Sequence, residues 1–151
     1  MTRPTIAVLT VAAACLLAAC GSGDGSRSTT TATPAGTPAQ ERAAVLDVMD
    51  EYMKDVLDGS YADACELMTE DARNAMMHRA QNARVAQVTC GSSLAKFMGA
   101  LTAAQRTALE GATYTVATLQ GDQATVRSSV RDASTTPLVK SGGDWKITVT
   151  R

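Results

Sequence analysis

ATYTVATLQGDQATVRSSVR, residues 112–131, is the stretch where the fold class is decided. Before it, apolar residues recur every three or four positions; within it the period drops to two, the spacing of a strand with one buried face. Ala112–Leu119 and Gln123–Arg131 flank Gly121-Asp122, a two-residue hairpin signal. In the second strand Ala124, Val126, Ser128 and Val130 share one face, with Arg127 and Arg131 on the other. A second hairpin follows, with residues 137–140 and 144–150 around Ser141-Gly142-Gly143. There Trp145, Ile147 and Val149 point one way, and Lys146, Thr148 and Thr150 the other. Helices first and then a run of about four antiparallel strands is the pattern of an α+β domain, with helices packed on one face of a curved sheet.

The helical part carries explicit start signals. Thr37-Pro38-Ala39-Gln40 places Thr at the N-cap, Pro at the first helical position and Gln at the third, a capping box. Val45, Met49, Tyr52/Met53 and Val56 then form one apolar face, and Gly59 supplies a left-handed stop. Ser60-Tyr61-Ala62-Asp63 restarts a short helix, with Ser as cap and Asp bonding back, that turns Cys65, Leu67 and Met68 inward. Thr69-Glu70-Asp71 caps a third helix through Ala72, Ala75, Met76 and Ala80. Residues 81–89 read equally as helix or loop. Another helix is expected after Ser92-Ser93, running through Leu94, Phe97 and Met98, and Thr102-Ala103-Ala104-Gln105 caps a last one ending at Gly111.

The N-terminal segment speaks of location. Arg3 precedes an uncharged apolar run from Ile6 to Leu17, about a dozen residues where a membrane-spanning helix needs roughly 20. Leu17-Ala18-Ala19-Cys20 ends it as a lipobox, the signal for cleavage before a Cys whose thiol takes a diacylglyceryl group and whose amine takes an acyl chain such as palmitate. Residues 1–19 are thus expected to be a lipoprotein signal peptide, with Cys20 the lipidated residue. Residues 20–36 (CGSGDGSRSTTTATPAG) are its flexible tether, with a reach of roughly 20–25 Å. Residues 37–151 form a single domain. This places the domain on the extracytoplasmic face of the cell membrane, held there by lipid. Thr29 to Thr31 and Thr33 would be acceptors if the tether were instead an O-glycosylated segment.

Charge and cysteines narrow the function classes. A net charge of −1 suggests neither nucleic acid nor a polybasic membrane patch. The charge is uneven: from Glu41 to Asp71 there are ten acids against two bases, and from Ala72 onward four acids against ten bases. That asymmetry reads either as solvated faces attracting each other within the fold or as an acidic docking face for an envelope protein. Cys65 and Cys90 remain as an even pair in an oxidising compartment, so a disulfide is the default and two buried thiols the alternative. A metal centre is not expected, because the chain has no Cys-x-x-Cys and a single His, His78.

Three features together resemble a known family: a long first helix running into Asp58-Gly59-Ser60-Tyr61-Ala62-Asp63-Ala64-Cys65, the segment from Cys65 to Arg73 with Cys90 downstream, and the closing hairpin from Leu138 to Ile147. They are similar to small exported actinobacterial proteins with a nuclear transport factor 2-like fold, over about residues 39–151. The resemblance implies a cone, a curved sheet wrapped round a long helix with a pocket between. That fold hosts isomerases, dehydratases, carriers and inert subunits, and its catalytic residues align with none here, so the resemblance carries no activity.

No nucleophile motif, zinc-protease motif or P-loop occurs. His78 lies in a polar stretch and reads as a surface residue. Met49, Met53, Met68, Met76, Met77 and Met98 serve either as core or as lining for an adaptable apolar pocket. If a small apolar ligand binds inside the cone, Tyr52, Met53, Val126, Trp145 and Ile147 are its candidate lining. The expectation is a non-enzymatic, cofactor-free module that docks on an envelope protein, with apolar ligand binding as the alternative and an isomerase- or dehydratase-like enzyme third.

Overall fold

The computed structural model describes residues 36–81, 88–130 and 135–150. The lipobox with Cys20, most of the tether, and Arg131 lie outside the described residues. Among those described, no helix is long and apolar enough to cross a membrane.

Helix α1, Pro38–Asp58, begins and ends where its sequence signals stand. The Thr37 hydroxyl accepts from the Gln40 N–H while the Gln40 side chain returns to the Thr37 N–H. Gly59 closes it at φ 83°, a left-handed geometry that costs glycine nothing. Val45, Met49 and Val56 form its buried stripe. Helix α2, Tyr61–Glu66, starts without the expected cap: Ser60 sits at ψ 54° and its side chain makes no capping bond. Its N–H is bonded to the Asp55 carbonyl in the closure of α1, which holds Ser60 away from the extended geometry of an N-cap. Helix α3, Glu70–Gln81, is capped by Thr69, whose hydroxyl accepts from the Ala72 N–H.

Helix α4, Cys90–Gly99, takes in the Ser92-Ser93 pair that its sequence places before it. Thr89 is the cap, and Ser92 completes a reciprocal box with it. Ser93 is buried, and its hydroxyl donates to the Thr89 carbonyl at 2.7 Å. This start puts Cys90, Leu94 and Met98 on one inward stripe. Phe97, expected to point inward, falls beside that stripe and is 53% exposed. Helix α5, Ala103–Glu110, has the expected Thr102–Gln105 box and no buried residue.

Strands β1 (Tyr114–Gln120), β2 (Gln123–Ser128), β3 (Thr135–Ser141) and β4 (Asp144–Ile147) form one antiparallel sheet in the order β1-β2-β3-β4. The second hairpin turns on Gly142 and Gly143, both at positive φ, as a two-residue turn requires. A bulge sits between Val116 and Thr118. It shifts the face by one residue, so that Tyr114, Val116 and then Leu119 all pack toward the core. Strand β2 ends at Ser128, short of Arg131. Val130, expected on the core face, is 39% exposed because Ser128 and Ser129 turn the chain, the former's hydroxyl accepting from the Val130 N–H.

The α1 stripe packs with Ala124, Val126, Leu138, Trp145 and Ile147 from the sheet, and on its other side with α2. Helix α4 lies against α2 and α3, joining Ala64, Cys65, Met68, Ala72, Leu94 and Met98 into the same core. Cys65 and Cys90 are bonded, with Cα atoms 6.1 Å apart, so the disulfide fastens α2 to the first residue of α4. A loop of 25 residues closed in this way restricts the unfolded chain by roughly 3–3.5 kcal/mol.

The expected consequence is direct. Cys65→Ala should lower unfolding stability by roughly 2–4 kcal/mol in denaturant titration. Intact mass should rise by two hydrogens on reduction. Two thiols that alkylate in the native, unreduced protein would rule the bridge out.

Candidate functional site

The first turn of α1 meets the β3–β4 hairpin at Glu41. One carboxylate oxygen accepts from Lys140 Nζ at 2.7 Å and the other from Trp145 Nε1 at 2.8 Å. The Lys140 ammonium also lies 5.9 Å from the centre of the Trp145 ring, within reach of its π face. A buried indole N–H needs an acceptor, and Glu41 supplies it. The pair is sheltered, with 18% of the Glu41 side chain and 25% of the Lys140 side chain exposed, while Trp145 keeps 4% of its surface. The Lys140 hydrogen bond holds the Glu41 carboxyl below its ordinary value; the Trp145 bond, the Lys140 charge and the Gly36 N–H add to this, against a smaller opposing effect of burial.

Glu41 and Lys140 stand between two grooves. The larger, about 500 Å³, runs between α1 and β4. Ala44, Val48 and Leu67 give it apolar lining, and Asp47, Glu51 and Asp144 give it carboxylates. None of these three acids makes an ion pair among the described residues. Lys146, also at the groove, turns its ammonium to the Glu66 carbonyl at 2.7 Å. The smaller groove, about 290 Å³, is lined by Gly36, Pro38, Leu119 and Asp122 on the far side of the Glu41–Lys140 pair.

The five residues expected to line a ligand pocket are distributed differently. Val126, Trp145 and Ile147 are buried in the core, and Tyr52 packs against it half-buried. Burial pushes the Tyr52 hydroxyl up to about 12, with Tyr114 nearby adding to the rise. Met53 is half-buried on α1. Only Trp145 of the five also lines the larger groove. Met49, Met68 and Met98 are core residues, and Met68 Sδ lies 3.9 Å from Cys90 Sγ. His78 and Asp63 are exposed. The sequence assigns Glu41, Val48 and Asp144 to no site, and Leu67 only to an inward face. The available signal was a strand Trp demanding an acceptor, which does not say where that acceptor comes from.

The acidic stretch of the sequence becomes a surface. Asp47, Asp50 and Glu51 are exposed along α1, and Lys54 pairs with Asp58 at 2.8 Å one turn on.

Glu41 sets an expected acid response. Its folded-state value lies below the ordinary 4.5, so its contribution to stability is complete above that pH and is lost as pH falls through the lower folded value. Trp145 is the only Trp in the chain, so its emission reports the event. A fluorescence titration should show a step below the ordinary carboxylate range, and Glu41→Gln should remove it. An unchanged step in that variant would dissociate the carboxylate from the indole.

No family model matches this chain, and neither a curated protein nor a solved structure matches it.

Proposed function

We propose that this chain is a lipid-anchored docking module of the cell envelope, non-enzymatic, with a nuclear transport factor 2-like cone as its folded part. The reading of its address rests on Leu17-Ala18-Ala19-Cys20 and the Gly/Ser/Thr/Pro-rich tether behind it. The fold reading is supported by the long α1 lying against a four-stranded meander, with shorter helices completing the layer.

The observation that carries the docking role is the solvent face of α1. Asp47, Asp50 and Glu51 stand exposed on a rigid, doubly capped helix next to an apolar-lined groove. A fixed row of carboxylates costs self-repulsion in the free protein and is favourable against a basic partner surface, where it speeds encounter and fixes orientation. Among the described residues none of Asp47, Asp50 and Glu51 is in an ion pair.

Two measurements in cells test this. Cys20→Ala should leave uncleaved precursor or release protein into the medium; a variant that stays in the detergent fraction at mature mass would defeat the anchor. A photo-crosslinking residue in place of Asp50 should trap an envelope protein, and the same residue in place of Glu110 on α5 should not. Equal or absent trapping at the two positions would defeat the docking face.

A further inference from the structure

The larger groove has a feature beyond charge. Along β4 the backbone groups alternate between the β3 side and the outer edge of the sheet. Ile147 faces outward: its N–H donates to the Leu67 carbonyl at 2.9 Å and its carbonyl accepts from the Thr69 N–H at 2.8 Å. Thr148, one residue on, faces inward and donates to Pro137. Trp145, two residues before Ile147, therefore faces outward as well. Its partner across the ladder is Lys140, whose own N–H is turned away to the Asp122 carbonyl, as a non-hydrogen-bonded pair requires. At this level of the edge the chain that covers Ile147 has already curled into α2, which ends at Glu66. The Trp145 N–H and C=O thus have no hydrogen-bond partner among the described residues. A backbone donor and acceptor on a residue with 4% of its surface exposed are costly to leave unmade.

Trp145, the residue with that unpaired edge, lines the groove that carries Asp47, Glu51 and Asp144. Asp47 and Glu51 are one turn apart on α1, and Ala44 and Val48 repeat the same spacing beside them. The three kinds of surface suit one ligand chemistry. A strand edge pairs with an extended backbone, apolar lining takes an aliphatic stem, and the carboxylates take the cationic head that such a stem carries in Lys or Arg.

We propose that the groove between α1 and β4 receives a short extended segment of a partner protein that alternates apolar and basic residues. Its backbone pairs with Trp145, and its Lys or Arg side chains reach Asp47 and Glu51. This rests on the docking reading above and names the partner's chemistry at that face.

The test uses the full chain in detergent, with Trp145 emission as the readout. The probe is a short acetylated peptide alternating valine and lysine. It should shift Trp145 emission saturably, with an affinity that falls as salt is raised. The same peptide with glutamate for lysine should not bind. Asp47→Lys with Glu51→Lys, both exposed positions, should weaken binding about tenfold while the far-ultraviolet circular dichroism is unchanged. N-methylation of the probe's central amides, which blocks strand pairing but keeps charge, should weaken it comparably. The proposal is overturned by failure of the lysine peptide to bind at millimolar concentration, by binding indifferent to the charge reversal, or by equal binding of the methylated probe. Self-association abolished by the same two substitutions would assign the groove to a second copy and overturn it too. A Cys20→Ala chain that stays in the detergent fraction at mature mass, together with probe binding, would defeat the anchor and leave this inference standing. Crosslinking at position 50 without probe binding would do the reverse.

Discussion

Ile147 is the point where the helical layer and the sheet become one object. Its backbone is gripped on the outer edge by Leu67 and Thr69, a single parallel bridge inserted between α2 and α3. The same residue sends its side chain into the core beside Trp145 and Leu138. The Thr69 hydroxyl donates to the Thr148 hydroxyl at 3.2 Å and also caps α3, so the join orients the third helix as well. Arg73 then reaches back to the Cys65 and Met68 carbonyls, closing the turn that holds the bridge. A chain with one Trp, one Phe and three Tyr has few large side chains to lock its layers by bulk alone. Directional bonds at this seam and the Cys65–Cys90 link supply the registration that aromatic packing would give elsewhere.

What was legible in the sequence follows from how local each cause is. The Thr37 and Thr102 boxes and the Gly59 stop are written in spans of a few residues, and the helices begin and end there. The two hairpins are equally local, and both formed. Ser60 failed because a neighbouring requirement, the closure of α1, took its backbone first. The cap at Thr89 lies in a stretch whose sequence reads equally as helix or loop, which hides the start of α4, and Phe97 shows that an apolar residue at helical spacing need not be covered. The bulge in β1 has no sequence mark of its own. It is visible only through its effect, since Val116 and Leu119 are an odd number of residues apart and still share the core.

The groove was the least legible part, for the same reason. Its walls come from α1 and from a hairpin about a hundred residues later, and the bond that fixes their distance joins Glu41 to Trp145. Glu41 looked like one acid among ten, and Trp145 like a core residue, which it also is. Periodicity assigns a residue to a face. It does not say which backbone edge that face leaves uncovered, and the uncovered edge at Trp145 emerges only when the register of β3 and β4 is known.

The other edge of the sheet meets an opposite fate. Strand β1 is outermost on its side, and an open strand of seven residues would be a template for a second chain to pair against. The bulge at Ala117 breaks its ladder midway, and Arg42 occupies the Val116 carbonyl at 3.5 Å. A flat, continuous hydrogen-bonding rail is thereby denied to any neighbour. One irregular residue thus makes this edge a poor template for a second copy, the kind of interruption by which sheet edges are kept from pairing end to end.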